Sequence, residues 1–126
     1  MELNMIRSKK VTLQDIENIN ELEKYDLSER VFEYYRSMTR GNDFLKIDEV
    51  KKKLIRNILL SYEAPTKVGL ERKRVFYYGN LLIQLNTEER TFCYIDNIFG
   101  KDFKFKLDME RRIVLNYMMG LQNDKY

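Results

Sequence analysis

The chain has 126 residues, 44% of them apolar and 34% charged, with a net charge of +3. That is the composition of one globular domain, able to build a core without disulfides or a structural metal. It has no histidine and a single cysteine, Cys93, which excludes Ser–His and Cys–His catalysis and an intrachain disulfide, and leaves no plausible zinc site.

Thr12 precedes Leu13, Ile16, Ile19 and Leu22, whose spacing predicts a helix over about 12–24 with a threonine N-cap. Asp26 or Ser28 can cap a second helix with Val31, Phe32, Tyr35 and Met38 on its apolar face and Gly41 as its stop. Asp48 is the predicted cap of a third helix over roughly 49–62. Its buried stripe is Val50, Leu54, Ile55, Ile58 and Leu59, and Pro65 ends it. Beyond Glu71 the pattern changes to strands at 74–78 and 81–86, joined by Gly79-Asn80, a type II′ hairpin signal. A polar turn at 87–90 leads to an alternating strand at 91–95. Phe103 and Phe105, alternating with lysines, suggest a short fourth strand. Asp108 then caps a last helix with Ile113, Val114, Tyr117 and Met118 on one face, ending at Gly120. Helices, a three- to four-stranded antiparallel meander and a C-terminal helix make a single α+β domain over residues 1–126.

No run is long or apolar enough to span a bilayer, and residues 1–10 lack a signal-peptide core, so a cytoplasmic protein is expected, with no membrane partner. The five glycines are scattered and form no phosphate-cradling loop, EF-hand spacing is absent, and neither a cofactor nor a metal is expected. The acid pairs Asp48-Glu49 and Glu88-Glu89 read as a helix start and a solvated turn. Cys93, mid-strand between Phe92 and Tyr94, reads as a small buried hydrophobe.

Charge is unevenly distributed. Residues 1–43 hold seven basic and nine acidic side chains, residues 44–86 nine and four, and residues 87–126 seven of each. The middle third is therefore the basic part. Lys51, Lys52, Lys53 and Arg56 fall on the third helix, followed by Lys67, Arg72, Lys73 and Arg74. Beside them, Tyr77 and Tyr78 are strand neighbours, so one faces the core and the other outward. Cations next to an outward tyrosine suit phosphate contact and base stacking, or a protein interface. These ten residues are the candidate binding set. The bland alternative is a solvated helix face beside ordinary sheet packing.

Arg36-Ser37-Met38-Thr39-Arg40-Gly41, a helix from Asp48, and a meander opening with Arg74-Val75-Phe76-Tyr77-Tyr78-Gly79 together resemble the small RelE-like (barnase–EndoU–colicin–RelE) domains of mobile elements, over about residues 32–96. Phe32 stands where related domains often carry a histidine. The resemblance implies helices before an antiparallel sheet and, for many members, metal-free RNA cleavage. Arg36, Arg40, Arg72, Arg74 and Tyr78 would then be the candidate site.

Three functions are therefore expected to compete. The first is a non-catalytic binding protein of phage or mobile-element type. It would engage nucleic acid, or an acidic or nucleoprotein partner such as a host-defence machine, through its basic surface. The second is a metal-free ribonuclease. The third is a protein that self-associates through its sheet, as a homo-oligomer with exposed strand edges.

Overall fold

A computed structural model describes residues 12–38, 44–98 and 108–121. In chain order it contains α1 (Leu13–Glu23), β1 (Asp26–Leu27), α2 (Glu29–Met38), α3 (Ile47–Leu60), β2 (Tyr62–Glu63), β3 (Lys73–Tyr78), β4 (Leu81–Asn86), β5 (Thr91–Asn97) and α4 (Met109–Met119). The class is α+β, as the sequence predicts. Gly41, Arg40 and the suggested strand at 103–106 lie outside the described residues.

Local chemistry sets the helix starts. Thr12 and Asp15 form a reciprocal capping box, each side chain accepting the other's backbone N–H. Ser28 Oγ accepts the Val31 amide at the start of α2, and Asp108 accepts the Arg111 amide at the start of α4. Gly120 ends α4 in the left-handed region at φ 68°. The third start is corrected: α3 begins one residue before Asp48, with Lys46 as N-cap and no side-chain cap bond. Asp48 and Glu49 instead occupy its first turn, where acids favour the helix dipole.

The sheet order is β1-β5-β4-β3-β2. The long strands are the antiparallel meander, and Gly79 has φ 56° in the two-residue turn that pairs Tyr78 with Leu81. The edges amend the expected meander. β1 pairs parallel to β5, and β2 extends the sheet beyond β3, so the sheet is mixed and five-stranded. In β5 the register passes from Phe92 opposite Leu85 to Tyr94 opposite Gln84, which leaves Cys93 as the extra residue of a bulge. The bulge turns both Phe92 and Ile95 inward although they are three apart.

One sheet face is the core face: Phe76, Tyr78, Leu81, Ile83, Leu85, Phe92 and Ile95 are all buried there with Val31, Tyr35, Val50, Leu54 and Ile55 from the helices. The helix α3 contacts α1, α2, α4 and β3. It is therefore central, and of Val50 to Ile58 only Lys52 is exposed. Two helix faces differ from those the apolar spacing predicts. In α1, Leu13 and Ile16 are exposed while Asp15, Ile19 and Leu22 face inward. In α4, Arg112, Leu115 and Asn116 are the buried residues, Val114 is half-buried, and Ile113, Tyr117 and Met118 are exposed. Both differences follow from polar docking: Arg111 donates to Asp15 across the α1–α4 seam, and Arg112 Nε donates to the Tyr78 hydroxyl at 2.9 Å.

Candidate binding surface

The basic residues that the sequence groups together are divided by the fold. Arg56 is 0% exposed and Lys53 is also buried, which corrects the expectation that the cations of α3 form its wet face. A helix packed on the sheet and three other helices has no wide wet face. Arg56 survives burial because its nitrogens donate to amide oxygens: Nη1 to Asn116 at 2.8 Å, and Nε and Nη2 to Asn57 at 3.1 and 2.8 Å. Lys51 is half-buried and donates to the Glu23 carbonyl at the end of α1. Lys52 remains exposed on α3, and Lys67, Arg72 and Lys73 on the stretch leading into β3.

Two of the arginines are held by acids. Arg72 pairs with Glu88 across the sheet end at 2.7 Å. Arg74 donates twice to Glu63 at 2.7 Å and lies over the Phe76 ring. The Glu63 hydrogen bonds raise the Arg74 pKa above its ordinary value against the effect of burial. This pair forms part of the wall of a cleft of about 240 Å³ between α1, the end of α3 and β3, with Asp15, Tyr25 and Ser61 among the other lining residues. Burial acts to raise the Asp15 carboxyl, but hydrogen bonds from Arg111 and the Thr12 amide, together with the charge of Arg111, outweigh it and hold the pKa below the usual value. Asp15 is therefore an ionised anchor at neutral pH, unsuited to donating a proton.

Among the described residues, those singled out for RNA cleavage do not converge on one site. Arg36 pairs with Glu33, stacks on Phe32 and lines a groove between α2 and the start of α3. Arg74 lines the separate cleft beside α1. Tyr78 is buried four residues along β3 from Arg74, about 13 Å away. Arg40 lies outside the described residues.

What the fold does gather is tyrosine. The sheet face opposite the core carries Tyr62 beside Tyr77, then Leu82 and Asp96 in one row, and Val75, Gln84 and Tyr94 in the next. Of the tyrosine pair in β3, Tyr78 is the inner and Tyr77 the outer member. Tyr62 is 48% and Tyr94 38% exposed. Lys73 shares this face, two residues before Val75. At the β5 edge the Tyr34 hydroxyl donates to Asp96 at 3.2 Å. The Asp96 charge, then burial, raise the Tyr94 phenol, which therefore stays protonated as a hydrogen-bond donor. Tyr62 and Tyr94 carry no signal in the sequence pattern that separates them from packing residues; only strand register brings them to one face.

Among the described residues no three His, Cys, Asp or Glu side chains cluster as a metal site, and no helix is long and apolar enough to cross a membrane. No solved structure matches the chain. The SPbeta prophage-derived uncharacterized protein YorE of Bacillus subtilis (strain 168) is 29% identical over 112 residues, covering 83% of this chain and 89% of that protein. The likeness to a prophage protein supports a phage or mobile-element origin. The family model described as YorE matches residues 25–118, from just before β1 to the last turn of α4. The chain belongs to the YorE family.

Proposed function

We propose that this chain is a small binding protein, without catalysis of its own, that holds single-stranded nucleic acid on the open face of its sheet. The observation that carries the reading is the shared face of Tyr62, Tyr77 and Tyr94 with Lys73 at its end. Tyrosine rings on the outer face of a sheet offer π-faces at strand spacing, and base stacking on such rings contributes about 1–3 kcal/mol per base. Lys73 on the face, with Lys67 and Arg72 at the same end of the sheet, supplies positive charge for the phosphates. The acids Asp96 and Glu88 keep that charge modest, so stacking is the larger contribution. In a phage-type protein, such a surface suits the exposed strand of a nucleoprotein machine, including one of host defence.

The test is fluorescence anisotropy with labelled single-stranded RNA and DNA oligonucleotides across a salt series. Tyr77→Ala is expected to weaken binding by roughly 5- to 150-fold, the equivalent of one stacked base. Lys73→Glu is expected to weaken it on every sequence and to flatten the salt dependence. Failure of wild-type protein to bind either strand at high micromolar concentration in low salt overturns the proposal. So does recovery from phage-infected cells of an acidic protein partner bound through Tyr77 with no nucleic acid.

A further inference from the structure

The helix α4 presents its apolar side to solvent. Arg112, Leu115 and Asn116 are buried, whereas Met109, Ile113, Tyr117 and Met118 are 53, 52, 89 and 41% exposed. Met109, Ile113 and Tyr117 recur at four-residue steps and so form one stripe. Among the exposed residues of the helix, Glu110 is the single charged one, in a chain of which 34% is charged. Enrichment in Met and Tyr with depletion of charge is the composition of an interface centre. The stripe lies on the helical side of the molecule, since α4 packs on α3 and reaches Tyr78 on the core face of the sheet. It is therefore separate from the open tyrosine face.

We propose that the outer face of α4 joins two copies of this chain across a two-fold axis at Ile113. The stripe is self-complementary in an antiparallel pair. Turning it about Ile113 sets Met109 against the second copy's Tyr117, a favourable sulfur–aromatic combination. The same operation brings Glu110 alongside the second copy's Tyr117, whose hydroxyl can donate to the carboxylate. It also separates the two Glu110 side chains by about 9 Å along the axis, which avoids a like-charge clash. The exposed side chains offer on the order of 450 Å² per copy. A stable interface takes about 800 Å² per partner, so the dimer is weak and depends on protein concentration.

Sedimentation velocity from micromolar to millimolar protein tests this. The mass is expected to rise from monomer toward dimer over that range. Ile113→Glu places two carboxylates at the axis and should raise the midpoint concentration at least tenfold, leaving the thermal melt of the monomer unchanged because Ile113 is exposed. A residue on a two-fold axis meets its own copy, so Ile113→Cys in a Cys93→Ser background should give a disulfide-linked dimer on mild oxidation. A chain that stays monomeric at millimolar concentration overturns the proposal. So does a dimer that survives Ile113→Glu, fails to cross-link through position 113, or is abolished by Tyr94→Ala on the opposite side.

Discussion

Arg56 sits wholly inside the protein, where a guanidinium loses its hydration at a cost of several kcal/mol unless its donors are satisfied. The amide oxygens of Asn57 and Asn116 accept from it, and Asn116 belongs to α4, so the charge also ties two helices together. Arg56→Ala leaves a cavity and strands both amide oxygens. It should lower the unfolding free energy by about 3 kcal/mol or more, read from urea denaturation. Lys52→Ala, four residues away on the exposed side, should stay within about 0.5 kcal/mol. Equal effects of the two substitutions would show that the buried arrangement is wrong. Asp15 makes a second residue-scale prediction. Its folded pKa lies below the ordinary 3.8, so the stability it contributes is present above that value and is lost as pH falls through the lower folded value. Asp15→Asn should therefore destabilise the protein at neutral pH and make its acid denaturation less steep below about pH 4. An unchanged acid limb with equal loss at every pH would contradict this.

The elements that can be read from the sequence are those with a local chemical signal. Thr12, Ser28 and Asp108 cap helices as their types predict, Gly79-Asn80 makes the hairpin, and Gly120 stops α4. Two-residue strands have no periodicity to detect, so β1 and β2 are invisible in the sequence, and with them the parallel pairing and the position of Tyr62. Helix faces are legible where apolar contact docks the helix, as with Val31 and Tyr35 in α2. They are misread where polar contact does so, as with Asp15 in α1 and Arg112 and Asn116 in α4. The same limit applies to the candidate site. Charge density along the chain points to residues 44–86, yet it cannot tell Arg56 in the interior from Lys52 on the surface. Gly120 offers a test of the local part. Its φ of 68° is strained for any residue with a Cβ, while the space around it is open. Gly120→Ala should therefore cost about 1 kcal/mol through the backbone alone, and Gly120→Asn, which tolerates this region, should cost less. Equal losses by thermal melting would mean that side-chain volume, not backbone conformation, sets the cost.

At the scale of the molecule, the order of the sheet predicts where its stability resides. The strand β4 lies at the centre, paired along its length to β3 and β5, and Ile83 and Leu85 are fully buried beneath the helices. Opening it breaks two ladders and the core together, so its amides should exchange with solvent only through global unfolding. The helix α4 is held differently. Its inward contacts are the Arg111–Asp15 ion pair to α1, the Asn116 and Arg112 hydrogen bonds and the packing of Leu115, and its outer face is apolar and wet. It can leave the domain without breaking the sheet, so its interior amides should exchange faster than those of β4 in dilute protein. Pairing of two copies through the α4 stripe adds a concentration-dependent cost to that opening. Hydrogen exchange of wild-type protein should then show protection rising with concentration in α4 and unchanged in β4, and Ile113→Glu should abolish the rise. Exchange in α4 that matches β4 in dilute solution would mean that the helix and sheet open as one cooperative unit.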